Sequence, residues 1–432
     1  MLGRVVFPLL CAAVCVVNAK EWALVVAGSS GWSNYRHQSD VCHAYHVLHS
    51  HGIPDENIVV MMYDDIANNH INPYKGKMFN KPHGPDVYAG VPKDYTAREV
   101  TPENFLKIMS GGSMKGIGSG KTIASGPNDH VFVFFSDHGA TGLVAFPHSE
   151  LHMKDLIATL TKMHADKKFA KLVFYLESCE SGSMFRNQLP ADMNIYAMTA
   201  SDYDESSWGC YCSTDMNLPC LGDLFSVNWM QDSDAHVDLM KETIDEQHTY
   251  VKTKTDKSRV QQYGDLKFLK DEVGEFQGDK QCKTCGGNST EEVDGLVPSR
   301  EIPLFNLHLA LERARNPRQR EQVLKQISWF HQKRAYVDAV IQDIVSKSMP
   351  ESTLLRDRVL TAYPQQLTKV DCHYALTKTF SRLCFSFAEN EYVMRYSRVL
   401  ANLCEAGIDT NVLLGNVASA CMNLKNKPVE IQ

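Results

Sequence analysis

Four short apolar runs constrain the fold of this chain more than any other feature: WALVVA at Trp22 to Ala27, IVVMMY at Ile58 to Tyr63, VFVFF at Val131 to Phe135 and LVFYL at Leu172 to Leu176. None alternates apolar with polar residues. Each must therefore be buried on both faces, as strands are in a parallel sheet covered by helices. Helical spacing fills the intervals at Asp40 to His51 and Met153 to His164, and Ile195 to Thr199 reads as a further strand. The expectation is an α/β layered domain, a mostly parallel central sheet with helices on both faces.

Sites in such sheets lie beyond the carboxyl ends of the strands. Polar clusters stand at those positions: Asn34-Tyr35-Arg36-His37 after the first strand, Ser136-Asp137-His138-Gly139 and Glu177-Ser178-Cys179-Glu180-Ser181-Gly182 after two others. A cysteine just past a strand can sit where backbone N–H groups stabilise a thiolate and an oxyanion. Alone, Cys179 reads equally well as a buried structural cysteine, and His138, one of 17 histidines, as a surface loop residue. Together, at the ends of successive strands, they meet the geometric need of a nucleophile–base pair.

A chain of 432 residues suggests two domains. Its net charge of −7 argues against nucleic acid or an anionic membrane as partner. Arg4, the apolar stretch Val5 to Val17 and the small residues of Val17-Asn18-Ala19 form a secretory signal peptide over residues 1–19, too short for the roughly 20 apolar residues of a membrane span. Of 13 cysteines, Cys11 and Cys15 fall in that signal, leaving 11, so an oxidising compartment leaves at least one thiol unpaired. Asn288-Ser289-Thr290 is a glycosylation sequon. The polar region Lys252 to Arg300, with Cys282-x-x-Cys285, reads as the end of the α/β domain (20–300) and a flexible connector, its two cysteines as a local disulfide. From Leu304 the apolar spacing is helical throughout, giving a linker at 301–330 and a small disulfide-stapled helical domain at 331–432. Cys42, His43, His46, His49 and His51 suggest a metal site, but no carboxylate or second ligand cluster accompanies them; no metal is expected.

The quoted clusters resemble the His-Gly and Glu-x-Cys-x-Ser-Gly motifs of the legumain (asparaginyl endopeptidase) family. Tyr35-Arg36-His37-Gln38, Met61-Met62-Tyr63-Asp64-Asp65, Gly90-Val91-Pro92-Lys93-Asp94-Tyr95 and Ser226-Val227-Asn228-Trp229-Met230 are similar to other legumain segments. The likeness runs from Lys20 to Gly264, and more weakly through the four-cysteine C-terminal part. It implies a caspase-like α/β fold and a cysteine endopeptidase cutting after asparagine. It assigns Cys179 as nucleophile, His138 as general acid/base, Asn34 as the residue orienting it, and the N–H groups of Gly139 and Cys179 as the oxyanion hole. Asp137 matches an aspartate that family members convert to a succinimide, implicated in peptide ligation. Arg36, His37, Glu177, Ser206, Ser207 and Asp223 match the S1 pocket. An asparagine side chain offers an acceptor oxygen and two donor hydrogens, so Arg36 suits its carbonyl while Glu177 and Asp223 suit its NH2. Aspartate would enter only protonated, at acidic pH.

The likeness further implies a C-terminal pro-domain that covers the active site and leaves at acidic pH, with Arg313, Arg315, Arg318 and Arg320 facing an acidic catalytic half. The family pairs Cys372 with Cys404 and Cys384 with Cys421, where sequence alone allows three pairings; Cys212 and Cys220 would form a disulfide stiffening the pocket wall. The family's activation cleavage falls at Asn316, but Pro317 follows and lacks an N–H, which leaves Asn306, another residue or another protease. The family's Arg-Gly-Asp is replaced by Ser110-Gly111-Gly112-Ser113. No cofactor is implied. The implied partners are peptide substrates, the chain's own pro-domain and cystatin-type inhibitors, with the protein a monomer in a lysosomal, endosomal or extracellular acidic compartment. Two rivals share motifs or fold: the glycosylphosphatidylinositol transamidase catalytic subunit, which should carry a C-terminal membrane span where this chain has the polar tail Lys425 to Gln432, and an inactive binding or inhibitor module, against which stand the intact Cys179 and His138. A metal-dependent hydrolase would require activity lost to chelators.

Overall fold

The structure, a computed structural model, describes residues 19–286 and 292–422. The signal peptide through Asn18 and the sequon at Asn288 lie outside the described residues.

The apolar runs form the centre of a six-stranded sheet. From one edge its order is Gln261–Gly264, Ile195–Thr199, Lys171–Glu177, His130–Ser136, Glu21–Ala27 and Ile58–Met61. The last five are mutually parallel and Gln261–Gly264 pairs antiparallel at the edge. Successive side chains point to opposite faces, so Ala23, Val25 and Ala27 enter one core while Trp22, Leu24 and Val26 enter the other. Helix Tyr35–Ser50 starts five residues before the apolar spacing suggested, because its first turn carries the buried polar residues Arg36, His37, Gln38 and Ser39.

Two stretches differ from the sequence expectation. Lys252 to Gly286 is folded rather than a flexible connector: it supplies the edge strand, and Val260, Phe268, Val273 and Phe276 enter the first core. These anchors are too widely spaced to show a period. Residues 301–330, expected as a linker, are mostly helical. Helix Ile302–Glu312 is followed by helix Pro317–Ser348, which runs through the expected boundary at 330.

The later helices Thr353–Thr361, Val370–Leu383, Glu391–Met394, Ser397–Glu405 and Thr410–Cys421 pack with the C-terminal half of Pro317–Ser348 around a third core. Disulfides Cys372–Cys404 and Cys384–Cys421 staple it; Cys212–Cys220 and Cys282–Cys285 are also bonded. Ala140, Leu143 and Ala145, from a small antiparallel sheet immediately after His138, enter the third core as well. The helical part is thus seated on the residues that follow the candidate base. Among the described residues, no helix is long and apolar enough to cross a membrane.

Candidate active site

Strand register brings the two motifs together. Ser136 lies opposite Glu177 in the parallel pair, so His138 and Cys179 each stand two residues beyond the last paired position. The Asp137 N–H donates to the Glu177 carbonyl (3.1 Å), tying the two exits. A Cβ on Gly139 would come within 2.4 Å of the Cys179 carbonyl and of Ser178 Oγ, so only glycine lets the loops meet. Glu180 then adopts a left-handed conformation (φ 44°), turning the chain sharply after the cysteine. The Cys179 sulfur lies 3.3 Å from Ser206 Oγ and 3.7 Å from Ser207 Oγ. Burial pushes its thiol pKa up, against the opposing pull of Arg300.

The Asn34 amide fixes the imidazole of His138. Its Nδ2 donates to the Ser30 carbonyl (2.9 Å), which leaves Oδ1 to accept from His138 Nε2 (2.9 Å). Nε2 therefore carries the proton and Nδ1 is the basic atom. Nδ1 is buried without a hydrogen-bond partner. Burial, then the charges of Arg36 and Arg300, hold the ring well below the usual histidine pKa, and so neutral.

Beside this pair the first turn of helix Tyr35–Ser50 builds a polar pocket. Arg36 Nε donates to Asp223 Oδ1 (2.9 Å). His37 Nδ1 lies 2.6 Å from Ser29 Oγ, and its Nε2 3.6 Å from Asp223 Oδ2. Glu177 Oε2 accepts from the N–H (3.1 Å) and hydroxyl (3.0 Å) of Ser226. Arg36 Nη2, Glu177 Oε1 and Asp223 Oδ2 remain buried and unbonded. One donor and two acceptors are left over, the complement of a primary carboxamide. Burial, and after it the neighbouring Asp223, raises the carboxyl pKa of Glu177 and of Asp40 well above the usual range. Asp137 is buried with both carboxylate oxygens unbonded, its pKa likewise raised by burial.

The Peptidase C13 family model matches residues 21–279 and the legumain pro-domain model residues 325–421. The chain belongs to the legumain family. It is 46% identical to rat legumain over 90% of this chain and 89% of that protein, and 44% identical to human legumain over 90% of each. It is 40% identical to the vacuolar-processing enzyme delta-isozyme of Arabidopsis thaliana, over 93% of this chain and 90% of that one. A caspase-1 structure from Spodoptera frugiperda aligns at a TM-score of 0.35 and 13% identity, over 61% of this chain and 92% of that chain, too low a score to carry an argument. The protein is a legumain-type cysteine endopeptidase with an inhibitory pro-domain.

In this legumain the site is closed by residues that sequence reasoning missed. Val297–Pro298 adds to strand Trp208–Cys210 as an antiparallel edge strand. Ser299 then donates its N–H to the Ser207 carbonyl (3.0 Å), and Ile302 packs against Gly209, which Arg36 also approaches. The guanidinium of Arg300 is buried against both carboxylate oxygens of Glu180 and donates to the Gly139 carbonyl (2.7 Å); the Tyr363 hydroxyl also reaches Glu180 (3.3 Å). From the pro-domain, Glu391 Oε1 comes within 3.4 Å of His138 Nδ1, its carboxyl pushed up to about 7 by burial. A cleft of about 580 Å³ remains beside His138, lined in part by Asn34, Asn306, Leu307 and Glu391.

The arginine cluster is not where the sequence suggested. Arg313, Arg315, Arg318 and Arg320 are exposed, on the turn and first helical residues after Ile302–Glu312, and the buried bridge to the catalytic half is made by Arg300 instead. Arginines on a solvated turn keep their hydration; only one docked inside the interface must find a carboxylate. Nothing in the sequence separated Arg300 from its neighbours except its place just before the apolar helix. The histidines His43, His46 and His49 line a separate cavity of about 450 Å³, where His43 is taken up by Asn80 and Asp234 at 2.8 Å each.

Proposed function

We propose that this legumain hydrolyses peptide bonds after asparagine with Cys179 as nucleophile and His138 as general acid/base. The reading rests above all on the three unbonded polar atoms of the pocket. Arg36 Nη2 donates to the asparagine side-chain oxygen, and Glu177 Oε1 and Asp223 Oδ2 accept its two N–H bonds. His37, Ser206 and Ser207 complete the S1 walls. His138 Nδ1 takes the thiol proton while Asn34 holds the Nε2 proton in place. The thiolate attacks the carbonyl, the N–H groups of Gly139 and Cys179 stabilise the oxyanion, and His138 returns the proton to the leaving amine. Water then releases the thioester; an incoming amine would give ligation instead, with Asp137 beside the site. Aspartate enters the pocket protonated, so its cleavage belongs to acidic pH.

Latency follows from the strap Val297–Ile302 and from Glu391, which occupy the pocket rim and the face of His138. The four disulfides among the described residues fit the secretory pathway. An acidic lysosome-like compartment, or secretion into acid, suits the proposed release of the C-terminal helical part; cystatin-type inhibitors and a monomeric state belong to the same reading. The test is an acid-activated preparation assayed on matched peptides with Asn, Asp, Gln or Ala before the scissile bond, beside Cys179→Ala. Cleavage confined to Asn at mild acid, gained for Asp at lower pH and absent in the mutant, is expected. Equal cleavage after Gln or Ala would refute the pocket assignment.

A further inference from the structure

Self-cleavage at Asn316 is obstructed twice over. Pro317 occupies the position after it, and Asn316 is the N-cap of helix Pro317–Ser348, its Oδ1 accepting from the Gln319 N–H (2.9 Å). An asparagine whose side chain holds a helix end cannot also enter an S1 pocket. Asn306 is no better placed, in the middle of helix Ile302–Glu312. The turn between the two helices has another character. Arg313, Arg315 and Asn316 are exposed. Arg313 makes one long side-chain contact, Nη2 to the Thr214 carbonyl at 3.4 Å. Arg318 and Arg320 lie within the helix and are shielded by its geometry; Arg313 closes the preceding helix, its N–H still bonded to the Leu309 carbonyl (3.0 Å), and Arg315 lies between the two helices, its N–H held by Gln319 Oε1 (3.0 Å).

We propose that the Arg313–Asn316 turn is the processing site of an arginine-specific endopeptidase, one whose primary pocket holds a carboxylate for the guanidinium. The partner hydrolyses the bond after Arg315 or Arg313. One water is consumed, a carboxylate forms on the arginine and an amino group on Asn316 or Ala314. The inference rests on the legumain reading above, and gives this zymogen an activation route that does not depend on cleavage at Asn316 or Asn306.

The cut changes the effective concentration of the inhibitor. While the chain is whole, the pro-domain rebinds as a tethered group at roughly millimolar effective concentration; once nicked, it rebinds only at its bulk concentration. The strap also loses support, because helix Ile302–Glu312 packs on helix Pro317–Ser348, and an isolated helix below ~12 residues is marginal in water.

The experiment treats full-length Cys179→Ala zymogen with limiting trypsin at neutral pH and sequences the new ends by mass spectrometry. Ends at Arg313 or Arg315 are expected, and Arg313→Gln/Arg315→Gln should resist. Wild-type zymogen, nicked and then acidified, should gain activity on dilution about tenfold or more beyond un-nicked zymogen. Cleavage elsewhere at the same rate in the double variant, or nicking without any gain, overturns the proposal. The un-nicked wild type, acidified alone or after removal of its pro-domain by other means, reports separately on the legumain reading: if it cuts after asparagine while nicking does nothing, only this inference fails.

Discussion

A guanidinium buried beside a carboxylate cannot shed its charge, so removing one partner strands the other. In Arg300→Ala, Glu180 would keep only Tyr363, and the strap should weaken by about 3–5 kcal/mol. The expected outcome is a shorter lag in acid activation with unchanged asparagine preference; an unchanged lag would remove Arg300 from the latency mechanism. In the proposed pocket, Arg36 acts on the substrate side. Arg36→Lys keeps the charge but loses the planar fork that serves Asp223 with one nitrogen and leaves another for the substrate. Its kcat/KM for asparagine peptides should fall about a hundredfold, the worth of one buried charged hydrogen bond. Steady-state kinetics on the activated variant decide it.

At the scale of elements, the proposed acid release turns on what the helical part buries. Strand Ser149–His152 ends in His152, whose ring meets Tyr374 of helix Val370–Leu383 (4.8 Å); His373 and Lys378 of the same helix are its electrostatic neighbours. Both ring nitrogens of His152 are buried and unbonded, while His373 Nε2 lies 3.0 Å from Ser397 Oγ, with Glu405 as its acidic neighbour. Burial lowers their pKa values, to about 3 for His152 and about 4 for His373. A histidine lowered in the docked state contributes docking that is full above its free pKa of about 6.5 and is lost as pH falls toward the docked value. Glu391 works the other way, since a raised carboxyl pKa favours docking as pH falls. His152→Gln should therefore move the release midpoint down by roughly half a pH unit, and Glu391→Gln should flatten the counteracting branch. Size-exclusion of the nicked zymogen across pH 7 to 4 reads both; an unmoved midpoint in His152→Gln rules that histidine out.

The same scale shows what the sequence could and could not disclose. Unbroken runs such as VFVFF located the strands because two-sided burial leaves no polar position to blur them. The strand Gln261–Gly264 (QQYG) escaped because an edge strand is only half buried. Cys179, His138 and the Arg36 turn were legible as clusters following strands. Glu180, Arg300 and Glu391 were not, because their roles arise from docking between segments far apart in the chain, which no local pattern encodes.

For the whole molecule, buried carboxyls set the pH range of stability. Besides Glu177, Asp40 and Asp137, burial and the neighbouring Asp232 push Glu242 up to about 9. A carboxyl raised in the fold contributes stability that is full below its unfolded pKa of about 4.5 and is lost as pH climbs through the folded value. The catalytic part should therefore lose thermal stability between pH 5 and pH 9. Glu242→Gln should lessen the slope; thermal melts at successive pH values would show it, and a melting temperature indifferent to pH would refute the assignment.

Val297–Pro298 continues the edge of Trp208–Cys210, beside the S1 walls, in the manner of an extended peptide laid along the pocket. On the proposed reading, latency and selectivity are thereby written in the same few residues. A change at Gly209, Ser207 or Arg36 that admits a new side chain also alters the fit of the segment holding the precursor silent. Such an enzyme cannot freely broaden its diet: variants that accept more would tend to wake early, in the compartment that makes them, and be eliminated before their new targets were ever met.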